Sequence, residues 1–222
     1  MLFRSKEEKA EIGIALDGDA DRLLIIDENG QEISGDKVIA VIAEILHDRG
    51  ELKMDKVVIT QMSNLALEDY LGYIGVSTIR TQVGDRYVIE AIKNNGCNFG
   101  GEQSGHIILS DYCTTGDGLI AALKILHFLV KSGKKTSQLF DIFTPYPQIL
   151  RNIKYNKNKL NPLEDKGIQE IIAQKNNKLG ENGRIFIRKS GTENLIRILV
   201  EGKDHNLIEE IAKDLSNLIS DF

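Results

Sequence analysis

The sequence predicts an α/β domain with a mostly parallel, mixed sheet, followed by a small α+β domain. Three observations carry this. From about residue 34 to 143, short apolar runs alternate with amphipathic stretches, the rhythm of β-α units whose helices cover both faces of a sheet. Thr144-Pro-Tyr-Pro147 then places two prolines close together, which cannot continue a helix and mark a boundary. Residues 144–222 beyond it carry strand and helix patterns of a different order, in the size range of a unit that folds alone.

In chain order, Ile12–Leu16 and Leu23–Ile26 are strand-length apolar runs around an acidic loop, and Asn29-Gly30 supplies a hairpin turn before Ile33. Ser34 or Asp36 caps a helix to about Arg49, with Val38, Ile39, Ile42, Ile45 and Leu46 on one face. Lys56–Thr60 is a strand, Ser63 caps a helix through about Tyr73, and Val76–Thr81 is the next strand. Gly84–Asn95 reads as a helix, Phe99 opens a Gly-rich stretch, Ile107–Leu109 is a strand, and Asp117–Lys131 is a strongly apolar helix. Past the prolines, Ile149–Tyr155, Gly183–Arg188 and Leu195–Glu201 are strands, and Glu164–Lys178 and Asn206–Leu218 are helices. Residues 1–33 hold two strands and a hairpin, too little for a core of their own. They either extend the middle sheet or end a further α/β domain.

Composition excludes several classes. The chain of 222 residues is 41% hydrophobic and 27% charged with 3 Pro, which is neither disordered, collagenous nor coiled-coil. A net charge of −5 gives no bulk positive field for nucleic acid or an anionic membrane, so any grip on a phosphate is local. Cys97 and Cys113 form no C-x-x-C, so no disulfide framework or zinc site is readable. No apolar run reaches the length of a signal peptide core or a bilayer span; a cytoplasmic protein with reduced thiols is expected.

Three loops carry chemistry. Asp17-Gly-Asp-Ala-Asp-Arg22 projects Asp17, Asp19 and Asp21 from a tight turn after a strand. Such carboxylates repel one another unless a cation sits among them, and oxygen-only ligands favour Mg²⁺, Mn²⁺ or Ca²⁺ over zinc. Arg22 adds an anion-binding donor. An EF-hand shares the Asp spacing but fails, because Arg22 stands where its turn glycine belongs. A phosphatase with Asp17 as nucleophile wants Thr or Val in place of Asp21, and a solvated acidic turn is the plainest competitor. Gly100-Gly-Glu-Gln-Ser-Gly-His106 lets backbone approach a ligand and offers Glu102 and Ser104 to vicinal hydroxyls such as those of a sugar; a plain β-turn competes. Arg188-Lys-Ser-Gly-Thr-Glu-Asn194, with Arg197 in the following strand, gathers amides, hydroxyls and guanidiniums suited to a phosphate monoester. It is no Walker loop, and a hairpin turn with an incidental Arg competes.

In this order and spacing the loops resemble the C-terminal portion of the α-D-phosphohexomutase superfamily, over nearly everything from residue 11 onward. DGDADR is similar to its metal loop, GEQSGH to its sugar loop and RKSGTE to its phosphate loop. QVGDRYV (82–88), PYPQIL (145–150) and Gln103 resemble most its bacterial glucosamine-phosphate branch; glucose- or mannose-phosphate mutases are the alternative.

The resemblance implies interconversion of glucosamine 6-phosphate and 1-phosphate, the precursor route to UDP-N-acetylglucosamine, through an active-site phosphoserine. It implies Mg²⁺ on Asp17, Asp19 and Asp21, and Arg22, Asp85 and Arg86 near the reacting group. It assigns Glu102 and Ser104 to the sugar, with His106 beside them either a ligand contact or a structural histidine, and Arg188, Ser190, Gly191, Thr192 and Arg197 to the non-reacting phosphate. It makes residues 1–33 the remnant of a second domain, 34–143 a third and 144–222 the fourth.

Two departures stand out. No T-A-S-H-N-P phosphoserine loop occurs, and Asn194 replaces the proline usual after SGTE. The chain alone is therefore expected to be inactive, and its strand edges to invite self-association or pairing with the missing N-terminal domains. A non-catalytic sugar-phosphate module, or a subunit completed by a separate N-terminal half, is the competing reading.

Overall fold

The computed structural model describes residues 2–155, 161–190 and 193–220. The chain divides into two compact units, 1–145 and 146–222.

The first unit opens with a short helix α1 (Leu2–Glu7) and a three-stranded antiparallel sheet of β1 (Ile12–Leu16), β2 (Leu23–Asp27) and β3 (Glu32–Ile33), in the order β1-β2-β3. The N-terminal strands thus build their own sheet rather than extending the middle one. Asp27 Oδ1 accepts the backbone N–H groups of Asn29 (2.9 Å) and Gln31 (2.8 Å), which with Gly30 at φ 82° closes the expected Asn-Gly turn.

A four-stranded sheet follows, ordered β5-β4-β6-β7, from β4 (Lys56–Thr60), β5 (Ser77–Thr81), β6 (Phe99–Gly101) and β7 (Ile107–Leu109). Its β5, β4 and β6 are parallel and β7 is antiparallel, so the sheet is mixed and mostly parallel, as expected. It carries α2 (Gly35–Asp48), α3 (Leu65–Tyr73), α4 (Asp85–Asn94), α5 (Gly118–Ser132) and the short α6 (Thr136–Leu139). One core cluster runs from Leu23, Ile25 and Ile33 through Ile39, Ile42, Ile59, Phe99 and Ile125. A second cluster on the other face joins Val58, Val88, Ile92 and Ile108. Helices therefore pack on both faces of the sheet.

Local chemistry sets the helix starts. Ser34 caps α2. The α3 start differs by one residue from expectation: Asn64, not Ser63, is the cap, its Oδ1 accepting Ala66 N–H at 3.0 Å. The Asp36 carboxylate, freed from capping α2, instead accepts Asn64 N–H at 2.8 Å and ties the α2 and α3 starts together.

The second unit is a three-stranded antiparallel sheet, β8 (Gln148–Lys154), β9 (Gly183–Lys189) and β10 (Leu195–Gly202) in the order β8-β10-β9, with α7 (Lys166–Leu179) and α8 (His205–Ser220). Ile196, Ile198 and Val200 of the central strand pack on Ile208, Ile211 and Leu215 of α8. Burial on one strand face and one helix stripe is what the alternating and 3.6-residue patterns require. Buried Glu201 is held by Arg184 Nε at 2.8 Å and Gln148 Nε2 at 3.1 Å. No helix among the described residues is long and apolar enough to cross a membrane.

Candidate functional site

The acidic loop joins β1 to β2 in a tight reversal. Ala20 takes a left-handed conformation (φ 60°), and its carbonyl accepts Gly118 N–H at 2.9 Å from the start of α5. Arg22 N–H donates to Asp17 Oδ1 at 3.2 Å, folding the loop back on itself. This brings one carboxylate oxygen from each of Asp17, Asp19 and Asp21 within 4.8 Å of one another. Arg22 Nε lies 3.5 Å from Asp17 Oδ2 and 3.7 Å from Asp21 Oδ1. Its side chain is 56% exposed, so the outer part of the guanidinium remains open to a ligand.

The sugar-loop candidate docks against the same place. Leu23 N–H donates to Gly105 O at 3.0 Å, and Arg22 pairs with His106 as an isolated antiparallel bridge. Gly105 sits at φ 90°, where a Cβ would stand 2.2 Å from Leu23 O, so no other residue fits. Glu102 N–H donates to His106 O at 2.9 Å and Gly105 N–H to Glu102 O at 3.0 Å, closing a tight turn between β6 and β7. Ser104 is exposed beside Gln103 at its tip. His106 is buried and its Nδ1 lies 3.2 Å from Asp21 Oδ2, linking the two loops directly.

The electrostatics are those of an acidic cluster short of positive charge. Desolvation and the neighbouring Asp17 and Asp19 raise the Asp21 carboxyl above its usual range, against the opposing pull of His106. For Asp17, desolvation is outweighed by the Arg22 amide, a hydrogen bond with Asp21 and the Arg22 charge, and the net shift is downward. Burial raises Glu102, with Asp85 adding to the shift and His106, the Gly84 amide and Arg22 opposing it. Asp21 Oδ1 and His106 Nε2 are buried without a hydrogen-bond partner, a combination that a bound ligand or ion relieves.

Asp85 and Arg86 begin α4 next to Glu102. Gly84, at φ 128°, bends the chain so that its N–H reaches the Glu102 carboxylate. Asp85 and Arg86 are themselves exposed, Arg86 lying over the Tyr87 ring at 4.6 Å. The first unit therefore gathers Asp17, Asp19, Asp21, Arg22, Asp85, Glu102 and His106 into one neighbourhood.

In the second unit, Arg188 and Arg197 are direct partners in the β9–β10 register and so share one face. Like charges placed opposite each other are unfavourable without an anion between them. Ser190 N–H donates to Leu195 O at 2.8 Å, and Ser190 Oγ accepts Glu193 N–H at 3.3 Å. Arg197 reaches Glu193 at 3.4 Å, while its Nε is buried without a partner. Gly191 and Thr192, also expected here, lie outside the described residues.

Sequence reasoning missed Gly116. A Cβ there would stand 2.3 Å from His106 Nε2 and 2.4 Å from Cε1, so the glycine backbone walls the imidazole in place. The Thr-Thr-Gly-Asp-Gly run just before α5 was its only signal. Gly35 at the start of α2 is another, since a Cβ there would stand 2.4 Å from Gln103 O.

Comparison with known proteins identifies the family of the fold. Residues 34–146 match the phosphoglucomutase/phosphomannomutase alpha/beta/alpha domain III, and residues 150–218 match the C-terminal domain of the same family. The chain is 50% identical over 220 residues to the phosphoglucosamine mutase of Beijerinckia indica, covering 99% of this chain and 48% of that protein. It is 49% identical over 213 residues to that of Parvibaculum lavamentivorans, covering 96% and 47%. It thus spans about half the length of the curated relatives it matches, in their C-terminal part.

A phosphoglucomutase/phosphomannomutase family protein from Burkholderia thailandensis superposes with a TM-score of 0.79 at 20% identity, over 99% of this chain and 48% of that one. Aspergillus fumigatus N-acetylphosphoglucosamine mutase, solved with GlcNAc-6P and magnesium, superposes at 0.74 and 20% identity over 94% and 48%. The likeness to both is one of fold. On its two matched domains, the chain belongs to the phosphoglucomutase/phosphomannomutase family.

Proposed function

We propose that the chain is the C-terminal part of a phosphoglucosamine mutase, converting glucosamine 6-phosphate to glucosamine 1-phosphate once a phosphoserine-bearing N-terminal half completes it. The observation that carries this reading is the convergence of the three aspartates, Arg22 and the Glu102–His106 turn. The names of the relatives support the hexosamine as substrate.

Asp17, Asp19 and Asp21 fit Mg²⁺: their oxygens are hard ligands within 4.8 Å of one another, and Asp21 Oδ1 is buried without a hydrogen bond. The ion would neutralise charge on a phosphoryl group in flight. Arg22 holds a non-bridging phosphoryl oxygen beside it. Glu102 and Ser104 accept from and donate to sugar hydroxyls, a pairing that serves a substrate bound in either of two orientations. His106, held by Asp21, orients that turn, while Asp85 and Arg86 border it. Arg188, Ser190, Gly191, Thr192 and Arg197 serve as the grip on a phosphate that is not reacting.

In the same reading residues 1–33 are the remnant of the second domain, and the product feeds UDP-N-acetylglucosamine synthesis in the cytoplasm. The test is complementation. The chain alone should show no conversion by ³¹P NMR, and adding the separately expressed N-terminal half of the Beijerinckia indica relative should restore it. Turnover by the chain alone, or none by the mixture despite complex formation, counts against the proposal.

A further inference from the structure

We propose that Asn182-Gly183, at the entry to β9, is a site of spontaneous deamidation, where the folded chain converts to aspartate and isoaspartate. The sequence holds three Asn-Gly pairs, at 29–30, 95–96 and 182–183. Glycine after asparagine lets the backbone amide nitrogen close on the carboxamide, because no Cβ stands in the way. All three asparagines are exposed. Hydrogen bonding, rather than exposure, separates them.

Two of the pairs are tied down. Asn29 Nδ2 donates to Asp27 Oδ2 at 3.4 Å and Gly30 N–H to Asp27 O at 3.0 Å. Asn95 Nδ2 donates to Ala91 O at 2.8 Å and Gly96 N–H to Lys93 O at 3.4 Å. At 182 the corresponding groups are open. Among the described residues the Asn182 carboxamide makes no hydrogen bond. Lys203 N–H donates to Asn182 O at 2.9 Å, so 182 and 203 are a hydrogen-bonded pair of the β9–β10 ladder and the next pair, 183 and 202, is a non-bonded one. Gly183 N–H accordingly points away from β10, to the side on which Asn176 Oδ1 takes Ile185 N–H at 3.1 Å. The fold also holds glycine at 183, since a Cβ there would stand 2.4 Å from Glu201 O.

The reaction needs only water. Gly183 N, its proton lost to hydroxide, bonds to Asn182 Cγ; the Cγ–Nδ2 bond breaks, and the nitrogen takes a proton from water and leaves as ammonia, closing a cyclic succinimide. Water then opens the ring at either carbonyl, giving aspartate or isoaspartate. Isoaspartate routes the main chain through Cβ and Cγ and turns the carbonyl that accepts Lys203 N–H into a free carboxylate. That carbonyl is the first rung from β9 to β10, and the same two strands carry Arg188 opposite Arg197. The modification therefore loosens the mount of the arginine pair. The site itself does not rest on the function proposed above.

The test is peptide mapping by mass spectrometry of the chain held at neutral pH, folded and, in parallel, unfolded in guanidinium. Trypsin separates the three pairs into peptides 23–37, 94–124 and 179–184. In the folded chain the 179–184 peptide should yield an aspartate and isoaspartate doublet about tenfold faster than the other two, because each of those must first release hydrogen bonds. In the unfolded chain the three rates should converge. The folded rate should rise with pH, as the attacking nitrogen must first shed its proton. Equal rates in the folded chain overturn the proposal, as does a ranking that survives unfolding. Conversion that gives aspartate alone, or that does not quicken with pH, assigns direct hydrolysis and overturns it too.

Discussion

Gly116→Ala isolates the contact that ties the sugar turn to the acidic loop. The new Cβ would stand 2.3 Å from His106 Nε2, 2.4 Å from Cε1 and 2.8 Å from Cδ2. The φ at 116 is not in the left-handed region, so alanine meets no backbone penalty and the effect is purely steric. The ring is buried, and a shift away from residue 116 disturbs the 3.2 Å contact from Nδ1 to Asp21 Oδ2. Overpacking of this kind costs about 2 kcal/mol, or about 4–8 °C in melting temperature for a chain of this size.

A double-mutant cycle separates the steric account from any other. In a His106→Ala background the ring is gone, and Gly116→Ala should then be neutral or slightly stabilising, because alanine restricts the unfolded chain. The assay is thermal and denaturant unfolding of the four proteins, with the imidazole nitrogens followed by ¹H–¹⁵N NMR in the two that retain His106. An equal cost with and without the imidazole would refute the reasoning.

Three further outcomes are expected. Millimolar inorganic phosphate should raise the melting temperature of the second unit by relieving the Arg188–Arg197 opposition, and Arg188→Met should abolish the rise; an undiminished rise removes Arg188 from the phosphate site. Gly35→Ala, whose Cβ would stand 2.4 Å from Gln103 O, should destabilise by about 1–3 kcal/mol because backbone must move; a neutral melt contradicts the packing of α2 on the sugar turn. Glu28 accepts Ser137 N–H at 3.0 Å and Ser137 Oγ at 2.5 Å, and these bonds outweigh partial desolvation to lower its carboxyl. A lowered folded-state value means stability present above the unfolded value of about 4.3 and lost as pH falls through the folded one. Glu28→Gln should flatten that acid limb by less than about 1 kcal/mol, since the group is partly solvated; an unchanged limb dismisses the cap.

Much of the fold was legible because its signals are local. The strands at 12–16, 56–60 and 107–109 are short apolar runs, and α2 shows its buried stripe plainly. The misses arise where distant contacts decide. β6 reads as a glycine-rich loop, yet Gly100 and Gly101 pair with β4 and β7 as strand residues, and they are glycine because a Cβ there would stand 2.6 Å from Val58 O and 2.8 Å from His106 O. α6 owes its place to Glu28, more than a hundred residues earlier. Asn64, one residue after Ser63, caps α3 because its own Oδ1 reaches the Ala66 N–H, a choice the sequence leaves open between two adjacent capping residues. At the site, the aspartates and glycines were readable as a pattern, whereas the His106–Asp21 link depends on two loops about 85 residues apart in sequence meeting in space, and the wall made by Gly116 on the chain folding back over His106 after β7.

Whether the three aspartates cage a divalent ion is best settled by titrating the chain with Mn²⁺ and counting bound ion by electron paramagnetic resonance. The expected result is one ion per chain, displaced by Mg²⁺ and lost in Asp19→Asn while the fold melts unchanged. Retention of the ion by Asp19→Asn, or no stoichiometric binding by the unsubstituted chain, would contradict the account.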